Sequence, residues 1–169
     1  MMKTCKENTS LANLFGLPYV VLRTPIAMDQ STLNFNWQVG GTAAFSVYTN
    51  ATESIDEASA ELGVSAVLRF LSRMGIIKYK CHGGYMGTII DEDDMMNVTC
   101  GAAGIYRSLH KSGDEVEKGD ILAQIIHPYE GNVISAVKAP ADGILFFAHE
   151  SPLVMENTIV FKMIKRLHK

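Results

Sequence analysis

Hydrophobic and polar positions follow two patterns that meet near residue 80. Through about Tyr79 the chain reads as short apolar runs and one helix-period stripe. From about Asn97 it reads as short strands punctuated by Gly and Pro. The continuous run Tyr19-Val20-Val21-Leu22, bounded by Pro18 and Pro25, predicts a buried strand. A second run, Ala43-Ala44-Phe45-Ser46-Val47-Tyr48, ends in the turn-prone stretch Thr49-Asn50-Ala51-Thr52. Between them Leu33, Phe35 and Trp37 alternate with polar residues, which suits a strand or a loop covering a pocket.

The clearest element is a helix. Ser54-Ile55-Asp56-Glu57 spells a capping box, and its acids suit the positive end of the helix dipole. Ile55, Ala58, Leu62, Ala66, Phe70 and Met74, with Val67 and Leu71 beside them, form one apolar stripe, and Gly75 supplies the stop. A strand, a turn and a helix of this length make an α/β layer unit. Residues 80 to 94 then read as a linker or hairpin, with the acidic run Asp91-Glu92-Asp93-Asp94 as a solvated turn that lacks the spacing of an oxygen-ligand loop.

The second part contains a near-repeat. Val116 to Leu122, followed by Ile126, matches Val154 to Val160, followed by Ile164, at one offset (154 − 116 = 38 and 164 − 126 = 38). Asn157 stands where Gly119 stands, and Asn best imitates Gly at positive φ. Each copy reads as a turn followed by a strand, and two such units facing each other make a small β-sandwich.

Composition narrows the function classes. The chain has 169 residues, 47% apolar and 20% charged, with net charge −3. That balance, without a basic stripe, argues against nucleic acid as a partner. No apolar stretch approaches the roughly 20 residues that span a bilayer, and Met1 to Ser10 has no apolar signal core, so no membrane partner is expected. Cys5, Cys81 and Cys100 are odd in number and widely spaced, which predicts free thiols in a reducing cytoplasm.

The phrases Gly113-Asp114-Glu115-Val116-Glu117-Lys118-Gly119-Asp120-Ile121-Leu122 and Ala139-Pro140-Ala141-Asp142-Gly143-Ile144-Leu145 resemble the barrel-sandwich fold of lipoyl and biotinyl carrier domains. Such carriers present a lysine on the intervening hairpin. Here that hairpin is His127-Pro128-Tyr129-Glu130-Gly131-Asn132, with Lys138 at its far end, so a carrier role is not expected.

The same β-part behind an α/β unit ending Leu68-Arg69-Phe70-Leu71-Ser72-Arg73-Met74-Gly75-Ile76-Ile77 is similar to the C-terminal portion of the succinylglutamate desuccinylase/aspartoacylase family, relatives of the zinc carboxypeptidases. Phe15-Gly16-Leu17-Pro18, Leu33-Asn34-Phe35-Asn36-Trp37 and Gly104-Ile105-Tyr106 also match, and the resemblance runs from about Leu11 to Ile164. It implies an α+β chain: residues 1–80 as part of a zinc carboxypeptidase-like α/β layer, 81–96 as a linker, and 97–169 as a β barrel-sandwich domain.

In that family an early His-x-x-Glu and a later His bind zinc, which activates water against an N-acyl amino acid or similar small amide, and a glutamate handles the proton. The resemblance places this chain after both zinc motifs, so it is expected to bind no zinc alone and to be inactive alone. Its expected partners are an N-acyl amino acid-like substrate and either a missing N-terminal half or further copies of itself. The family glutamate falls at Tyr48, which is no carboxylate base but can donate to an oxyanion. Glu53 is either a solvated acid before the helix or a displaced catalytic acid. Arg23 is either a bidentate carboxylate ligand or a solvent-facing residue. Trp37 lines a substrate pocket or fills the core.

The spelling His127-Pro128-Tyr129-Glu130 lacks the further ligands a zinc site needs. His149-Glu150 reads as a surface turn, and Cys81-His82 as linker. No Gly-x-Ser-x-Gly elbow, phosphate loop or Gly-x-Gly-x-x-Gly motif is present. The rival to a hydrolase fragment is a non-catalytic binding or assembly module with a lipoyl-like β domain.

Overall fold

A computed structural model describes residues 1–3, 8–48, 55–80 and 82–165. The chain is α+β and divides into two compact units, residues 1–49 with 56–94, and residues 50–55 with 95–169.

The first unit opens with helix α1 (Thr9–Ala12) and a 3₁₀ turn (Asn13–Phe15). Strand β1 (Tyr19–Leu22) follows as the apolar run predicts, and it pairs in parallel with β2 (Thr88–Asp91), Val20 opposite Ile89. Strand β2 lies inside the stretch read as a linker. Its two isoleucines sit between Thr88 and the acidic run, too few for an apolar pattern to stand out in sequence.

Leu33 to Val39 form helix α2 rather than a strand or covering loop. The Thr32 hydroxyl caps it, accepting the Phe35 amide at 3.4 Å. Its inward face is made of amides: buried Gln38 donates from Nε2 to the Ala44 carbonyl at 2.9 Å, and Asn34 donates from Nδ2 to Ser46 Oγ at 2.6 Å. The alternating Leu33 and Trp37 point out instead. Residues 43–48 join no strand ladder. Phe45 anchors them by packing edge-on against Phe15, with ring centroids 5.5 Å apart.

Helix α3 (Glu57–Arg73) is the long helix the stripe predicts. Its N-cap is Asp56, which accepts the Ser59 amide at 3.1 Å and the Ser59 hydroxyl at 2.5 Å. Ser54, the expected cap, lies outside the described residues. At the other end Gly75 has φ +73°, and the Gly75 amide bonds Ser72 O while the Ile76 amide bonds Leu71 O, each at 3.0 Å. That pair of bonds closes the helix as a Schellman motif. The buried face runs through Ser59, Ala66 and Arg69, and Phe70 stacks on Phe15 at 4.3 Å. Ile55, Leu62 and Met74 of the expected stripe are exposed.

The second unit holds two four-stranded sheets. One has the order β3 (Met96–Thr99), β10 (Ile159–Lys165), β8 (Gly143–Ala148), β5 (Glu115–Val116). The other has the order β7 (Val133–Lys138), β6 (Ile121–Ile126), β4 (Gly104–Ser108), β9 (Leu153–Val154). Every pairing within them is antiparallel. Neither sheet closes on itself among the described residues.

The near-repeat is a structural one and is longer than the sequence match. In each copy the chain leaves one sheet, turns at a positive-φ residue and enters the other: β5 to β6 through Gly119 (φ +99°), β9 to β10 through Asn157 (φ +65°). The Gly119 amide bonds Ala139 O, and the Asn157 amide bonds Cys100 O, both at 2.9 Å. Gly104 and Gly143 extend the match. A Cβ at either would press on the carbonyl of Ile126 or Ile164, which are themselves repeat partners. The core is continuous between the sheets, with Leu122, Ile125, Leu145, Val160, Phe161 and Met163 fully buried. Each such side chain contributes about 1.5–3 kcal/mol by leaving water.

Candidate functional site

The residues singled out from sequence map to the first unit, apart from Glu53, which lies outside the described residues. Tyr48 is 83% exposed and follows Val47 in the irregular stretch after α2. Val47 forms one wall of a groove of about 420 Å³, and residues Ser59 to Leu68 of α3 form the other. Among the described residues the groove lining includes Ala60, Gly63, Val64 and Val67 and carries no titratable side chain. The described lining can hold an apolar group.

Arg23 stands just past β1, where the Arg23 amide bonds the Met1 carbonyl at 2.9 Å. Its guanidinium is already engaged: Nη2 pairs with Asp29, and Nε lies 3.9 Å from Glu92 Oε2. Asp29 is buried and accepts the Ile26 amide at 2.7 Å, so this ion pair ties β1 to the 3₁₀ turn Ala27–Ser31. An arginine with one fork taken by a buried carboxylate has fewer donors left for a substrate carboxylate. Trp37 is 53% exposed on α2. Among the described residues, no hydrogen bond, ion pair or ring contact joins Arg23, Trp37 and Tyr48 to one another.

Sequence reasoning gave no role to Arg69 and Arg73. Arg69 is buried, donating to His82 O at 2.8 Å, Phe15 O at 2.5 Å and Gly16 O at 3.4 Å. One turn later Arg73 donates to Leu14 O at 3.0 Å, Asn13 O at 3.2 Å and Gly83 O at 2.5 Å. The two cations thus cap the C-terminal carbonyls of the 3₁₀ turn that precedes β1, the end where positive charge is favoured. The legible signal was two arginines four apart on one helix.

Hydrogen bonds from Ser59 hold the Asp56 carboxyl below its usual range. The Lys3 ammonium does the same for Asp91, and Asp91 in turn raises Lys3. Burial pushes the Tyr106 hydroxyl up, opposed by its bond to Ser108.

Among the described residues no three His, Cys, Asp or Glu side chains come together as a metal site. His127 serves its own turn, its Nδ1 facing the amides of Glu130 at 3.2 Å and Tyr129 at 3.4 Å. Cys100 is buried and free, while Cys5 and Cys81 lie outside the described residues. No helix among the described residues is long and apolar enough to cross a membrane.

No family model matches the sequence. No curated protein matches it either. Solved structures do match. A succinylglutamate desuccinylase/aspartoacylase from Rhodobacter sphaeroides superposes on 100% of this chain with TM-score 0.74 at 18% identity. The chain has the fold of part of a succinylglutamate desuccinylase/aspartoacylase. The apo Ectoine utilization protein EutE (DoeB) from Ruegeria pomeroyi matches 98% of the chain with TM-score 0.73 at 17% identity. A succinylglutamate desuccinylase from Silicibacter sp. TM1040 matches 90% with TM-score 0.74 at 14% identity. The chain covers 53%, 53% and 46% of these three structures, about half their length, consistent with the C-terminal portion that the sequence resembles.

Proposed function

We propose that this chain is the C-terminal part of a hydrolase of the succinylglutamate desuccinylase/aspartoacylase kind, cleaving an N-acyl amino acid or similar small amide. The observation that carries the reading is the likeness of the whole chain to about half of each matched structure. In this reading the first unit is part of a zinc carboxypeptidase-like α/β layer and the second is a barrel-sandwich hybrid domain. The two opposed sheets and their sheet-switching turns support the second assignment.

In this reading the zinc donors lie outside the described residues, among which no three His, Cys, Asp or Glu side chains come together. The chain's own contribution is to the walls of the site: the groove between Val47 and α3 holds an apolar part of the substrate, and the exposed Tyr48 hydroxyl donates to the carbonyl oxygen as negative charge develops there. The cytoplasm is the compartment that fits free thiols.

The test joins this chain to the part of the Rhodobacter sphaeroides structure that it does not match, then measures amine release from N-acyl amino acids with and without zinc. Zinc-dependent release supports the reading. A folded, zinc-loaded hybrid that neither binds nor cleaves these amides removes it.

A further inference from the structure

The second unit contains a cleft with no part in the reading above. It measures about 340 Å³ and opens between the segment after β4 and the segment after β8. Its polar groups converge from both: Tyr106, Ser108, Lys111 and Ser112 from one side, His149 and Glu150 from the other. The Tyr106 hydroxyl donates to Ser108 Oγ at 3.4 Å, and Ser108 in turn donates to His110 O at 2.5 Å. The His149 and Tyr106 rings pack T-shaped, centroids 5.5 Å apart at 79°.

Three observations point to a ligand. First, the His149 Nε2 is buried and has no hydrogen-bond partner, an expensive state for a ring nitrogen. Second, Lys111 makes no ion pair among the described residues. The acids nearby are occupied: Asp114 takes His110 Nδ1 at 3.3 Å and the Lys111 amide at 3.0 Å, and Glu150 is engaged within the protein. Lys111 is thus a cation without an ion pair that lines the cleft alongside the engaged Glu150. Third, β8 carries an extra residue relative to the matching strand β4. The ladder passes from Leu145↔Met163 to Phe147↔Lys162, so Phe146 is bulged, three residues before His149. A bulge within a strand re-aims the side chains that follow, and this one breaks the internal symmetry beside the cleft.

We propose that this cleft binds a small oxyanion, a carboxylate or phosphate group. Lys111 supplies the charge, the Ser112 hydroxyl donates, and a turn of the His149 ring gives Nε2 its missing partner. Every group invoked lies in the second unit, so the proposal stands independently of the hydrolase reading.

The experiment follows amide and imidazole NMR signals of the full chain while inorganic phosphate or acetate is added at constant ionic strength. Saturable shifts confined to Ser108, Lys111, Ser112 and His149 are expected. Binding should weaken about tenfold in Lys111→Ala and in His149→Phe, the loss expected when one charge-assisted hydrogen bond is removed. Saturation by phosphate alone, or by acetate alone, supports the site and names its chemistry. Shifts that grow linearly, spread over the surface or persist unchanged in both folded variants overturn it.

Discussion

Arg69 donates from Nη1 to the carbonyl of Phe15 at 2.5 Å across 54 residues of sequence. The same guanidinium reaches His82 O, so one side chain of α3 joins the segments before β1 and before β2. With Phe70 stacked on Phe15 in the adjacent turn, polar and apolar contacts fix the same junction. A planar fork with five donors suits several carbonyls at once, and an ammonium does not. Replacing Arg69 by Met leaves the partly buried carbonyls of Phe15 and His82 without this donor and is expected to cost about 1–3 kcal/mol, with Arg69→Lys recovering little of it. Urea unfolding followed in the first unit measures both.

The turns of the repeat make a paired prediction. Asn157 is the one described non-glycine residue with positive φ. Asn157→Gly should be neutral or slightly stabilising, whereas Asn157→Ala should cost about 1–2 kcal/mol. Thermal unfolding shows Asn157→Ala clearly less stable than Asn157→Gly if the left-handed turn is real, and equal small effects if it is not.

Asp56 makes the stability of α3 depend on pH. Its folded carboxyl titrates below the ordinary value because Ser59 donates to the ionised form. The cap therefore stabilises the fold above the unfolded aspartate pKa of about 3.9, and that contribution disappears as pH falls through the lower, folded value. Asp56→Ala should be less stable than the parent at neutral pH and indistinguishable from it in strong acid. A destabilisation that stays constant across this range would mean that Asp56 acts by packing.

Phe161 is fully buried on β10 between the two sheets. Phe161→Ala should cost about 3–5 kcal/mol, because the surrounding sheets can only partly collapse into the space. Denaturant unfolding of the second unit reads the loss directly.

These predictions rest on features that differ in how visible they were in the sequence. The Gly119 and Asn157 repeat was legible because the turn and the following strand recur at one spacing, and that spacing is how a chain crosses twice between two sheets. Strand β1 and helix α3 were legible from an unbroken apolar run and a 3.6-residue period. Helix α2 was not, because its inward face uses the amides of Asn34 and Gln38 while Leu33 and Trp37 face out, the reverse of what hydropathy assumes. The helix start moved from Ser54 to Asp56 because two capping side chains stand two residues apart and spacing alone does not choose between them. The arginine caps escaped notice because charged residues on a helix are read as solvated. Of the candidate site, Arg23 proved committed to buried Asp29, while Tyr48 stands exposed beside the apolar groove.

In the proposed function this chain is the rear part of a deacylase, with Tyr48 at the position that the sequence resemblance assigns to the family glutamate. The most direct measurement compares zinc-dependent amine release from N-acyl amino acids by the hybrid with the Rhodobacter sphaeroides front part, with Tyr48 intact and as Tyr48→Glu. The account predicts faster release on restoring the carboxylate, by about 10²- to 10⁴-fold, the usual range for a positioned acid–base group. Equal rates in two folded, zinc-loaded hybrids, or no release from either, would contradict it.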